Sequence, residues 1–233
     1  MTSIKKFLIS MMATGFTMVL FSCNNSEEKK EEKTVDTPPT TVFTPFKLIM
    51  VKHKVADFDK WKAGYMAHDS MRKAYGISDF VMGRGIEDSN MVVVIDKIAD
   101  LQKAKDFAAS PSLKEAMQKS GVTGAPEVSY ANVIRLDSAG ADQKDRLRVG
   151  HKVKDFDAWL KVYDGEGKAT RLANGLQDRG IARDLSDSNM VYVTFVVTDM
   201  AKAKARAASP ELKKLMTDAG VTGPPNVFFY RVQ

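Results

Sequence analysis

The chain of 233 residues has a single cysteine, three histidines and two tryptophans. One cysteine excludes an intramolecular disulfide, so cross-links do not hold this fold together. The histidines show no His-x-x-x-His spacing, and no second cysteine or glutamate-rich pair supplies further ligands, so no metal site is expected. A nucleophile elbow, a phosphate loop and a dinucleotide fingerprint are all absent, and no cofactor is expected. The formal charge of +6 is modest and its lysines are spread along helices, without an aromatic-interleaved basic cluster. That pattern describes solvated faces and excludes nucleic-acid binding as the main role.

What the sequence does have is an internal repeat. His53-Lys54-Val55-Ala56-Asp57-Phe58-Asp59-Lys60-Trp61 returns as His151-Lys152-Val153-Lys154-Asp155-Phe156-Asp157-Ala158-Trp159, 98 positions on (151 − 53). Asp88-Ser89-Asn90-Met91-Val92 returns from Asp187, and Gly121-Val122-Thr123-Gly124 from Gly220, both at a spacing of 99 (187 − 88, 220 − 121). The chain is a tandem duplication of one small unit, and a unit this small gains from a second copy to pack against.

The N-terminus has Lys5 and Lys6 followed by an apolar run from Phe7 to Phe21, too short for a stable membrane span, so residues 1–22 are expected to be an export signal. Leu20-Phe21-Ser22-Cys23 resembles the lipobox of bacterial lipoproteins, with a larger residue than usual at Phe21. The resemblance implies cleavage before Cys23, acylation of its thiol and a membrane partner through those acyl chains, in the cell envelope and by expectation at the outer membrane. An ordinary cleaved signal with an incidental cysteine is the alternative. Residues 23–45 contain little to bury and are expected to be a disordered tether. Its Ser26-to-Glu32 acidic run resembles surface-export signals of Bacteroidetes lipoproteins, and a solvated spacer explains it equally well.

The alternation of apolar runs, caps and turns predicts the order β-α-β-β-α-β over residues 46–136, a polar linker over 137–145, and the same order over 146–233. Asp57 and Asp155 are predicted to cap one helix in each unit, and Ser110-Pro111 and Ser209-Pro210 to start a new helix where another ends. The first helix is expected to run on to Gly76, and Thr123-Gly124-Ala125-Pro126 to form a turn before strand four. The change of spacing from 98 to 99 falls between Trp159 and Arg171 and predicts a π-bulge or short break near Asp164-Gly165-Glu166-Gly167.

The His-x-Val-x-Asp-Phe-Asp-x-Trp start, the Asp-x-Asn hairpin, the Ala-Ser-Pro-x-Leu helix break and the Gly-Val-x-Gly-x-Pro turn resemble the dimeric α/β-barrel superfamily, which includes antibiotic-biosynthesis-monooxygenase-like and cyclase-like small proteins. The resemblance implies an α+β fold in which two fused ferredoxin-like units form an intramolecular dimeric α/β barrel, a monomer with an internal pseudo-dimer. It does not transfer an activity, because the superfamily spans oxygenases, haem enzymes, isomerases and ligand sensors.

The candidate site residues come in matched pairs. His53 and His151 fall on the apolar face of strand one, as acid/base groups or ligands, or more simply as buried imidazoles hydrogen-bonded to nearby backbone. His68 faces Glu166 in the other copy, so the two sites are free to diverge; a polar residue at the wet end of a helix is the simpler account. Arg84 and Arg183 match in strand two, where an arginine inside the barrel would hold an anion. Asn90 and Asn189 are turn residues. Trp61 and Trp159 are core aromatics at matched places, with Tyr65 one turn beyond Trp61. Arg148 faces Met50 across the repeat, making the second unit more polar on the other face of strand one. The expected function is to hold a small apolar or aromatic molecule between sheet and first helix near Trp61, Tyr65, His68 and Arg84 or their partners. The alternatives are a cofactor-independent monooxygenase or cyclase-like enzyme using His68 or His53 as proton acceptor, and a cell-surface docking protein with an exposed apolar patch.

Overall fold

A computed structural model describes residues 43–233; the expected signal peptide, Cys23 and all but the end of the expected tether lie outside the described residues. The first repeat runs β1 (Phe46–Val55), α1 (Phe58–Ala67), α2 (Asp69–Ala74), β2 (Ile77–Gly85), β3 (Met91–Ile98), α3 (Leu101–Ala108), α4 (Pro111–Lys119) and β4 (Val122–Leu136). The second runs β5 (Asp145–Val153), α5 (Phe156–Glu166), α6 (Lys168–Ala173), β6 (Leu176–Asp184), β7 (Met190–Val197), α7 (Met200–Ala207), α8 (Pro210–Asp218) and β8 (Val221–Val232).

Local chemistry places the helix starts. Asp57 accepts from the Lys60 amide at 2.7 Å, and Asp155 from the Ala158 amide at the same distance. Asp100 and Asp199 cap α3 and α7 in the same way, and Ser110 and Ser209 cap α4 and α8 with proline at the first helical position. Each such cap contributes about 1 kcal/mol.

The eight strands close into one antiparallel barrel in the order β1-β3-β2-β8-β5-β7-β6-β4. Within each half the order is that of a ferredoxin-like sheet. Two seams join the halves: Ala131–Leu136 of β4 against Gly180–Asp184 of β6, and Gly83–Gly85 of β2 against Tyr230–Val232 of β8. Alternation along each strand then sorts side chains between two compartments. Leu48, Val93, Ile95, Ala131, Val133, Ala182, Tyr192 and Tyr230 form the barrel interior, drawn from both halves. Ile49, Ile77, Ile98, Ala104 and Phe107, together with a separate cluster of Val55, Phe58, Trp61, Val92 and Val94, pack under the helices of the first half. Their counterparts in the second half form one continuous cluster.

The structure corrects three expectations and, of a fourth, bears out the short break rather than the π-bulge. Thr123-Gly124-Ala125-Pro126 is part of β4, which resumes pairing with β1 at Lys54↔Thr123 after an irregularity between Lys52 and Lys54. Helix one does not run on to Gly76: it breaks at His68, whose φ/ψ of −97°/13° ends α1. In the second half the break is no π-bulge but an extended glycine, Gly167, at φ 82° and ψ 147°. Finally, Phe43, within the expected tether, packs edge-on against Phe46 at 6.2 Å, because the barrel mouth offers it an apolar partner.

Candidate functional site

The break between the first two helices of each half is bridged by a buried arginine. Arg72 donates to the Tyr65 carbonyl and, at 3.0 Å, to Asp79 on β2. Arg171 donates to the Tyr163 carbonyl at 2.7 Å and holds Asp178 through two bonds of 2.6 and 2.7 Å. Each guanidinium also lies over its tyrosine ring, at 3.6 Å in the first half and 3.9 Å in the second. The tyrosine in turn stacks on the tryptophan, 5.4 Å from Trp61 to Tyr65 and 5.3 Å from Trp159 to Tyr163. A duplicated Trp-Tyr-Arg-Asp column therefore stands beside a cavity between sheet and helices in each half.

The two cavities, about 110 Å³ in the first half and 100 Å³ in the second, have different floors. In the second, Phe195 lies on the sheet and Glu166 is locked between Arg171 at 3.3 Å and Arg206 at 2.6 Å. In the first, the position matching Phe195 is Asp96 and that matching Arg206 is Phe107. Asp96 thus sits 6% exposed among Ile49, Val51, Trp61, Ile77 and Val94, and it interrupts the apolar layer that Phe195 keeps continuous.

Burial drives the Asp96 carboxyl up to about 7, although the Tyr65 hydroxyl hydrogen bond works against the shift. The hydrogen-bond geometry has the same consequence. The Tyr65 hydroxyl lies 2.9 Å from Asp79 and 3.1 to 3.2 Å from Asp96, yet carries one proton. One of the two carboxyls must carry a proton for both contacts to be satisfied, and since Asp79 is paired with Arg72 at 3.0 Å this is Asp96, donating to the Tyr65 oxygen while Tyr65 donates to Asp79. Burial also raises the Tyr65 hydroxyl well above its ordinary value.

His53 and His151 line the two cavities, tilted against Trp61 and Trp159 at 5.3 and 5.4 Å. They were expected to be held by backbone hydrogen bonds, but none of their ring nitrogens has a partner, because strand pairing consumes the nearby backbone groups. Burial lowers both to about 4, so they are neutral at physiological pH. His68 stands at the cavity rim. Its Nδ1 lies 2.8 Å from the Gly64 carbonyl, which only accepts, so Nδ1 carries the proton and Nε2 is left as an acceptor. Gly64 itself is required by a close approach: a Cβ there would come within 2.0 Å of the Ser120 hydroxyl at the end of α4.

Trp61, Tyr65, His68 and His53 are therefore brought together. Trp159, His151 and Glu166 meet in the second half, where Glu166 is consumed by its two arginines. Arg84 and Arg183 are not in either cavity or in the barrel. Each donates through Nε to a hairpin carbonyl, Ser89 at 2.8 Å and Ser188 at 2.9 Å, and lies over the first helical phenylalanine, Phe58 at 4.1 Å and Phe156 at 3.9 Å. They clamp hairpin to helix start. Asn90 and Asn189 sit in those hairpins, their amides donating to Asp88 and Asp187. The residue that sequence reasoning missed is Asp96, whose signal was an acidic residue in the otherwise apolar inward-facing positions of Met91–Ile98, matched by phenylalanine across the repeat. Among the described residues no cluster of His, Cys, Asp and Glu could hold a metal ion, and no helix is long and apolar enough to cross a membrane.

No model of a known protein family matches the chain, and none of the curated proteins matches it. Solved structures do. An anthrone oxidase-like protein superposes with a TM-score of 0.55 at 14% identity, covering 81% of this chain and 91% of its own. A candidate chlorite dismutase gives 0.50 at 11% identity over 81% and 94%. A ferredoxin-fold protein related to antibiotic biosynthesis monooxygenases, from Listeria monocytogenes, gives 0.46 at 8% identity over 82% and 96%. At such identities the likeness is one of fold. This protein has the fold of the dimeric α/β barrels, with both ferredoxin-like halves fused in one polypeptide.

Proposed function

We propose that the helix-side cavity of the first half binds a small, mostly aromatic molecule bearing a weakly acidic hydroxyl, and that Asp96 and Tyr65 handle its proton. One observation carries this reading: a buried carboxyl held near neutrality by its surroundings, in a cavity otherwise walled by apolar side chains. An apolar wall with a few convergent polar groups is the usual make-up of a small-molecule site. His53, with both ring nitrogens unpartnered, adds a hydrogen-bonding group on the same face of the sheet as Asp96. The second cavity, its carboxylate tied to two arginines, serves as the structural copy.

The enzymatic form of this reading is a cofactor-independent oxygenase. A carboxyl titrating near pH 7 is matched to general-base work, and deprotonating an aromatic hydroxyl creates an electron-rich anion able to react with oxygen. The similarity to an anthrone oxidase-like protein favours this version over isomerisation. The docking alternative has less support: the large exposed apolar side chains, Met66 and Val128 in one half and Leu172 and Val227 in the other, are divided between the halves. The N-terminal features support a place outside the cytoplasm, tethered through an acylated Cys23.

The test is calorimetric titration of the full chain with 1-naphthol and anthrone, alongside an oxygen electrode. Binding weakened about tenfold by Asp96→Leu and unaffected by Glu166→Gln is expected. No binding by the wild type, or equal binding by Asp96→Leu, would falsify the site. Oxygen uptake that requires Asp96 separates the enzyme from the binder. Metabolic labelling with palmitate, lost in Cys23→Ser, checks the anchor.

A further inference from the structure

The barrel interior holds three arginines that the fold does not need. Arg146 and Arg148 on β5 and Arg179 on β6 line its chambers, and their counterparts across the repeat are Leu48, Met50 and Phe80. The same fold is therefore built with apolar residues at all three places in the first half. Two of the three have backbone partners only. Arg146 donates to the Asp145 and Ala141 carbonyls at 3.1 and 3.0 Å, and Arg179 to the Asp137 carbonyl. Among the described residues Arg148 has no hydrogen-bond partner. It is 5% exposed, its Nη2 is buried without a partner, and its guanidinium lies 4.2 Å from the Tyr192 ring. Among the described residues none of the three has a carboxylate within ion-pair distance. The Asp184 carboxylate accepts from the Tyr192 hydroxyl at 3.1 Å instead, and the Glu127 carboxylate at the mouth pairs with Lys52 at 2.9 Å.

A buried guanidinium without a counterion is strongly disfavoured unless something supplies the negative charge. Arg148 borders both interior chambers, and the larger, about 220 Å³, is lined by the apolar Met50, Met190 and Phe228 interleaved with Arg148, Lys52 and Ser129, with Glu127 at its mouth; Arg148 pairs across strands with Phe228, and Ser129 with Met50. The Ser129 hydroxyl is buried beside the Tyr192 hydroxyl, without a bond of good geometry to it. We propose that this chamber is a second ligand site, distinct from the helix-side cavity, which takes a small organic carboxylate: the carboxylate pairs with Arg148 and accepts from Ser129, and an apolar body rests on Met50, Met190 and Phe228. The planar fork of arginine is suited to such a two-oxygen partner. The tandem arrangement is what makes the site possible, since two identical subunits would place three arginines from each copy in one barrel.

Calorimetry of the full chain with benzoate, and with benzyl alcohol as its neutral analogue, tests the assignment. Saturable benzoate binding is expected, weakened at least about tenfold in Arg148→Met. Without ligand, Arg148→Met should fold with an unchanged or higher melting temperature, since Met50 already occupies the matching place. Benzyl alcohol should bind at least about tenfold more weakly than benzoate to the wild type, a comparison that needs no variant. The proposal is overturned if benzoate fails to bind the wild type at about 10 mM, a concentration that would reveal even weak affinity. Equal binding of benzoate by Arg148→Met, or equal binding of the alcohol, overturns it too.

Discussion

Asp96 shows how one side chain sets a site apart from its own duplicate. Its carboxyl is raised to about 7 by burial, so the folded protein holds a proton there that the unfolded chain, with a value of 3.8, releases. Stability tied to that proton is complete below pH 3.8 and is lost as pH rises through about 7, up to about 4 kcal/mol for a shift of this size. Asp96→Asn should therefore be more resistant to urea than the wild type at pH 8, less so at pH 5, and close to it only below pH 3.8. A wild-type advantage at pH 8 would show that the carboxylate is accommodated charged. The histidines act with the opposite sign. His53 and His151 fall from 6.5 to about 4, so the unfolded chain binds protons that the folded one refuses, and stability falls as pH drops from 6.5 toward 4. Replacing both with leucine should flatten that acid limb, read as melting temperature against pH, and unchanged acid sensitivity would mean that the imidazoles become solvated on protonation.

At the scale of elements, the interrupted first helix is the device that brings the arginine inward. Gly167 occupies φ 82° and ψ 147°, a region only glycine adopts without strain, and nothing lies within 4 Å of where a Cβ would be. Gly167→Ala should therefore cost backbone strain alone, about 1–3 kcal/mol in urea denaturation, with the barrel intact. Glu166 presents the opposite case, a 10% exposed carboxylate shared by the buried Arg171 and the half-buried Arg206. Glu166→Leu leaves Arg206 without its carboxylate while Arg171 keeps Asp178, and should cost about 2–3 kcal/mol, whereas Glu166→Gln, whose one amide oxygen still accepts from one of the two arginines, should cost less. Equal losses for the two variants would assign the effect to packing.

For the whole molecule, closure of the barrel through the β4–β6 and β2–β8 seams gives every strand a neighbour on both sides over at least part of its length. A fragment of residues 43–136 would expose the apolar inner face of its sheet and should self-associate, with a melting temperature that rises with concentration, whereas the full chain should elute as a monomer. A folded, monomeric fragment would mean that the helix layer alone suffices. The sequence by itself determined the repeat, the strand and helix order and the capping residues, because these rest on local periodicity and on motifs copied at near-constant spacing, while the two-halved α+β barrel came from the resemblance of those motifs to the dimeric α/β barrels. It also singled out Trp61, Tyr65, His53 and His68. Only the tertiary structure decided that Arg84 and Arg183 lie on hairpins, that Glu166 is neutralised by Arg206 from another helix, and that Asp96 faces the cavity. It alone gathers Arg146, Arg148 and Arg179 in one interior. Whether a charge is paired, buried or free depends on groups distant in sequence that packing brings within a few ångströms, and no local pattern encodes that distance.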